Sequence, residues 1–149
     1  RFMAMGVKPF LLAPALNAII GQRLVRRICQ HCKIQDTEID NAAMTLVLNT
    51  LNEISPESGH KPALDDLKFY KGKGCEKCHD LGYKGRVGIY EIFTMTPEIE
   101  KVILSGKISE YEVEKLAVAN GMITMLQDGL LKAIEGITSV EEILKELKD

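Results

Sequence analysis

Gly72-Lys73-Gly74-Cys75-Glu76-Lys77-Cys78-His79-Asp80-Leu81-Gly82-Tyr83-Lys84-Gly85-Arg86 is the stretch around which this chain is organised. It carries one Cys-x-x-Cys hook set among glycines. A second hook, Cys29-Gln30-His31-Cys32, lies upstream and completes the set of 4 cysteines in the chain. Each hook can turn two sulfurs toward one ion, and four soft ligands in a tetrahedron suit zinc best. Glycines beside the second hook fit this reading, because a chain that doubles back to aim two sulfurs at one point often needs positive φ, which glycine adopts at little cost. The candidate metal ligands are therefore Cys29, Cys32, Cys75 and Cys78, forming a closed structural site.

Two competing readings are weaker. Unlinked reduced thiols rarely fall by chance into two such pairs with no singleton. A redox Cys-x-x-Cys needs a strand-to-helix setting around one reactive pair, whereas both pairs here sit in loops flanked by glycines or strands. The 42 residues between Cys32 and Cys75 exceed the ~15–20 of a compact zinc ribbon, so something folded is inserted between the hooks. His31 and His79 adjoin ligand positions and could stand in for a cysteine, but with four thiolates at hand they are expected in the surroundings of the site. His60 is expected in an exposed loop.

At 149 residues the chain fits one domain, or the end of a larger one plus a small second one. No apolar run approaches the ~20 residues of a membrane helix. The start at Arg1, without Met, reads as a cut made inside a longer protein. Paired thiols held by metal suit a reducing compartment, so a cytoplasmic protein is expected. Net charge is −2, which argues against a general nucleic-acid binder, but it is unevenly spread. Residues 1–35 hold six of the 19 Lys and Arg and none of the 21 acids, leaving 13 basic against 21 acidic residues beyond them. A basic first segment can face an anion or an acidic partner, or be a solvated face.

Phe10 to Ile20 reads as a helix with Leu12, Leu16, Ile19 and Ile20 on its buried side, ended by Gly21. Gln22–Ile28 reads as a strand running into the first hook. Asp36–Ile54 has helical apolar spacing and is expected to be one amphipathic helix, capped by Asp36 or Thr37 and stopped before Ser55-Pro56. Leu67–Tyr70 and Arg86–Phe93 are expected strands of one small sheet beside the second hook. Beyond Thr94 the punctuation gives four helices, near 97–105, 110–120, 125–135 and 140–148. Thr96-Pro97 starts the first. Ser109 with Glu112, Thr124 with Gln127 and Ser139 with Glu142 are three capping boxes, and Gly106, Gly121 and Gly136 are C-terminal stops. Their apolar stripes are expected to form a small bundle with its own core.

Leu-Leu-Ala-Pro-Ala-Leu-Asn-Ala-Ile-Ile-Gly-Gln-Arg-Leu-Val-Arg-Arg-Ile-Cys (11–29), Gly-Cys-Glu-Lys-Cys-His-Asp-Leu-Gly-Tyr-Lys-Gly-Arg-Val-Gly-Ile-Tyr-Glu-Ile-Phe (74–93) and Asp-Gly-Leu-Leu-Lys-Ala-Ile-Glu-Gly-Ile-Thr-Ser-Val-Glu-Glu-Ile-Leu (128–144) together resemble the C-terminal end of the traffic ATPases of type II secretion and type IV pilus assembly. The departure is the longer segment at about 33–74, which leans toward the pilus side. The resemblance implies a mixed α/β fold: the end of a RecA-like core with the first hook (1–35), a helical insert and loop (36–66), a zinc-tied strand lobe (67–94) and a C-terminal helical domain (95–149). It implies a hexameric cytoplasmic ring, peripheral to the inner membrane, that couples ATP hydrolysis to a membrane platform protein. ATP and Mg²⁺ would be bound upstream, since no GxxxxGK[ST] occurs in this chain. Arg86 matches a family arginine associated with ATPase function. It could face a nucleotide or a subunit interface, or simply pair with Glu91. No catalytic residue and no nucleic-acid partner are expected.

Two other classes compete. Arg23, Arg26, Arg27, Lys71, Lys73, Lys77, Lys84 and Arg86 near the hooks would suit a zinc-ribbon-like nucleic-acid- or protein-binding module, but interleaved exposed aromatics and a basic balance are missing. A chaperone-type cysteine-rich domain repeats its CxxCxGxG unit, whereas one loose version occurs here.

Overall fold

Two long strands far apart in sequence form the spine of the molecule: β1 (Ala18–Ile28) runs antiparallel to β4 (Tyr83–Thr94), from Ala18 opposite Thr94 to Arg26 opposite Arg86. Past Arg26 the register shifts, so that Ile28 faces Tyr83. A second, shorter ribbon pairs β2 (Lys33–Gln35) with β3 (Tyr70–Gly72). Each hook is the bend from one ribbon to the other, since Cys29–Cys32 joins β1 to β2 and Cys75–Cys78 joins β3 to β4. The computed structural model describes residues 2, 4–106 and 109–147.

Six α-helices occur among the described residues: α1 (Pro9–Ala15), α2 (Asn41–Asn52), α3 (Pro97–Leu104), α4 (Glu110–Ala119), α5 (Met125–Ile134) and α6 (Val140–Leu147). With the small antiparallel ribbons they make the expected mixed α/β fold. The punctuation after Thr94 places the last four helices within a residue of their bounds; position 148 lies outside the described residues. Thr96 Oγ1 accepts the Ile99 amide. The Thr124–Gln127 box closes in both directions, at 3.3 and 3.0 Å. Ser109 caps nothing with its side chain.

Elsewhere long-range pairing overrides local pattern. The helix expected to reach Ile20 stops at Ala15, and Leu16 is already extended. Ile19 and Ile20 belong to β1, where they pair with Phe93 and Ile92 and stand 47% and 63% exposed, so they form no buried helical face. β-branched residues favour that pleated setting. Gly21 lies inside the strand opposite Glu91 and ends nothing. The insert helix begins at Asn41, capped by Asp40, whose carboxylate accepts the Ala43 amide at 2.8 Å. Asp36 accepts the Glu38 amide and pairs with Lys71, fixing the turn out of β2. The strand expected at 67–70 is set at Tyr70–Gly72 by pairing with Lys33–Gln35, and it lies in a different ribbon from β4.

The apolar stripes of the last four helices divide between two cores. Leu130, Ala133, Val140 and Ile143 of α5 and α6 pack with Val25 and Ile89 of the long ribbon, Val47 and Leu51 of α2, and Phe69. Ile99, Ile103 and Ala117 of α3 and α4 pack instead with Ala13 of α1. Gln127, 3% exposed, reinforces the first core by donating to the Thr50 carbonyl of α2. Both cores therefore draw on residues before Thr94, in place of one separate C-terminal core.

Candidate metal centre

The two hooks meet where the ribbons change over. In the first, Cys32 N–H donates to Cys29 O at 3.2 Å; in the second, Cys78 N–H donates to Cys75 O at 3.0 Å within a single 3₁₀ turn. Cross-links hold them face to face. Cys29 N–H donates to Gly82 O, and Lys73 N–H to Cys32 O, both at 2.9 Å. The backbones nearly touch at Gly72 and Gly82: a Cβ on Gly72 would lie 1.9 Å from Gly82 O, and Gly82 has φ +74°. Close approach is thus as strong a reason for glycine here as positive φ is.

All four sulfurs lie within 4.8 Å of one another. Cys29 and Cys75 Sγ are 3.9 Å apart, Cys32 and Cys78 3.8 Å, and Cys75 and Cys78 3.7 Å. A disulfide needs ~2.05 Å, and all four thiols are free. Sulfurs at ~2.3 Å from the centre of a regular tetrahedron stand about 3.8 Å apart, so the cluster already has the size of a four-thiolate metal site. Cys29 and Cys78 are buried, Cys32 and Cys75 half-buried.

Local electrostatics make Cys32, Cys75 and Cys78 unequal. Burial pushes the Cys32 thiol up to about 12 and raises Cys75 as well. Burial also opposes ionisation of Cys78, but backbone donors at Cys75 and Gly82, with the neighbouring thiols, bring it down to about 7. Of these three the Cys78 thiolate forms most readily, and a divalent cation held among the sulfurs would supply the charge that lets Cys32 and Cys75 ionise beside it.

His31, His60 and His79 are exposed, and the group able to hold a metal among the described residues consists of the cysteines alone. Arg86 is exposed on β4, opposite Arg26, with no ion pair among the described residues. The pairing with Glu91 left open by the sequence does not form: residues five apart on one strand point to opposite faces, and Glu91 accepts the Met125 amide at the start of α5 at 3.1 Å. The charge pair on the strand leading to the first hook joins the half-exposed Arg26 to the buried carboxylate of Glu142 instead. Sequence pattern hid it, because Ser139 and Glu142 have capping-box spacing: Ser139 Oγ does accept the Glu142 amide, while the carboxylate turns away to Arg26.

A family described as Type II/IV secretion system protein matches residues 1–145. The chain is 41% identical over 97% of its length to the type IV pilus assembly ATPase PilB of Thermus thermophilus, and 39% identical over 100% to PilB of Pseudomonas aeruginosa. It is also 33% identical over 100% to the type II secretion system protein E of Pseudomonas aeruginosa. It spans 15%, 24% and 27% of those three relatives. With the three sequence stretches and the cysteine hooks all falling inside the matched region, this chain belongs to the type II/IV secretion system protein family.

Proposed function

We propose that the chain is the C-terminal metal-binding and helical portion of an ATPase that powers type IV pilus assembly or type II secretion, with one zinc held by Cys29, Cys32, Cys75 and Cys78. The observation that carries the zinc assignment is the convergence of four sulfurs within 4.8 Å of one another, three of the separations being 3.7 to 3.9 Å, about that of a tetrahedral thiolate shell. Four thiolates leave no open position for water or substrate, so the ion organises structure. It ties the two ribbons together at their changeover.

In this reading ATP and Mg²⁺ are bound by residues outside the chain, and the parent works as a hexameric cytoplasmic ring on an inner-membrane platform protein. Arg86, exposed and anchored on β4 just beyond the second hook, faces a nucleotide or a neighbouring subunit across that ring. The relatives named as type IV pilus assembly ATPases and as a type II secretion system protein support this reading. Its test is steady-state phosphate release. The 149-residue chain alone should release none, since phosphoryl transfer needs a phosphate cradle and Mg²⁺ ligands. In the parent, Arg86→Ala and Cys78→Ser should lower turnover while ATP still binds; a parent that keeps full turnover with both substitutions contradicts the assignment.

A further inference from the structure

Each of the four strands that lead into or out of the hooks is touched by one short segment, residues 135–142, from the end of α5 through the first turn of α6. Before Cys29, Ile28 N–H donates to Ile137 O at 2.9 Å, at the register shift where regular pairing with β4 lapses. Thr138 Oγ1 donates to Arg26 O at 2.9 Å. After Cys32, Lys33 Nζ reaches Glu135 O at 3.4 Å while lying 4.3 Å from the centre of the Tyr70 ring. Tyr70 belongs to the strand that precedes Cys75, and its ring is so close to the segment that a Cβ on Gly136 would lie 2.8 Å from Cδ2. Beyond Cys78, Tyr83 Oη and Ser139 Oγ are 2.6 Å apart. Glu142 then locks the assembly: it takes three hydrogen bonds from Arg26, whose guanidinium also stacks 4.2 Å over Tyr83.

We infer that this segment is a clasp that positions the four cysteine sulfurs, so that its docking and the affinity of the site for metal are thermodynamically coupled. The inference rests on the metal reading proposed above. Its physical basis is linkage. The four strand ends must be held in one arrangement for their sulfurs to converge, and any contact made only in that arrangement adds to metal affinity. Thr138, Ser139 and Glu142 are 0%, 1% and 1% exposed, so their polar groups depend on the docked arrangement for partners. None of the clasp residues contacts the ion; they are positioning residues acting through the strands that carry the ligands.

The test is a zinc dissociation constant for the full 149-residue chain, measured by competition with a chromophoric chelator, beside the visible spectrum of the cobalt(II) form. Glu142→Gln and Tyr83→Phe should each weaken zinc about tenfold, the usual scale for groups that orient ligands from outside the coordination shell, and should broaden the cobalt bands. Tyr83→Phe removes one hydroxyl and keeps the ring beneath Arg26, so it decides the matter if Glu142→Gln does not fold. Ile103→Ala, in the other core, should lower the unfolding midpoint and leave zinc affinity at the value of the unsubstituted chain. Unchanged affinity in both clasp variants overturns the inference while leaving the metal reading intact, and so does an equal loss in Ile103→Ala, which would mark general instability. An unsubstituted chain that takes up neither zinc nor cobalt overturns the metal reading and the inference with it.

Discussion

Arg26 and Glu142, 116 positions apart, form a charge pair in which Glu142 Oε1 accepts the Arg26 amide at 2.9 Å and Oε2 accepts the guanidinium Nε and Nη2 at 2.8 and 2.5 Å. The two partners are unequally exposed, the arginine side chain by 43% and the carboxylate by 1%. Removing one partner of a buried pair is costly chiefly through the charge left behind. Arg26→Ala strands a buried carboxylate and should destabilise by about 3 kcal/mol or more, whereas Glu142→Ala strands an arginine that can turn to water and should cost about 2 kcal/mol. Urea titrations of the two variants check the order.

The same pair makes stability depend on acid. Burial raises the Glu142 pKa, but the hydrogen bonds and charge of Arg26 outweigh it and hold the carboxyl below the ordinary carboxylate range. A group lowered in the folded state stabilises the fold above its unfolded pKa, ~4.3 for Glu, and that contribution disappears as pH falls through the folded value. The stability difference between the unsubstituted chain and Glu142→Gln should therefore be full at about pH 6 and shrink steadily below about pH 4. A difference that stays constant down to the acid transition contradicts the role given to the carboxylate.

Gly72 and Gly85 flank the second hook for different reasons, and alanine separates them. At Gly72 a Cβ meets Gly82 O at 1.9 Å, so the ribbons must part; at Gly85, φ is +82° and a Cβ meets open space. Gly85→Ala should cost about 1–2 kcal/mol, the ordinary penalty of a left-handed residue. Gly72→Ala should cost clearly more, with loss of bound zinc. Thermal melts and zinc content of the two variants give the ranking.

Local chemistry made much of this legible. The Thr124–Gln127 box and the stops at Gly106, Gly121 and Gly136 act through neighbours within a few residues, so sequence alone places α3 to α6. The cysteine spacing likewise identifies four sulfurs that the fold brings within 4.8 Å. What stayed hidden is set by partners far along the chain. Ile19 and Ile20 look helical until Phe93 and Ile92 draw them into a ribbon. Glu142 looks like a cap residue until Arg26 is placed beside it. Nor does periodicity tell which core receives a stripe: Leu130 and Ile143 join the ribbon and α2, while Ile99 and Ile103 join α1.

That division predicts how the chain loosens when metal is stripped. α5 and α6 pack on the long ribbon and carry the clasp, so hydrogen exchange after chelation should quicken in 125–147 together with 18–35 and 70–94. Helices α3 and α4, seated on α1, should keep their protection longer. Equal quickening across 97–119 and 125–147 would show that the two cores open as one unit.

A single structural zinc on four thiolates is open to elemental analysis of the purified, reduced chain. One zinc per chain is expected, lost in Cys75→Ser and in Cys29→Ser, and retained when His31 or His79 is replaced by alanine. A chain that folds under reducing conditions with no bound zinc, or one whose zinc content survives Cys75→Ser, contradicts it.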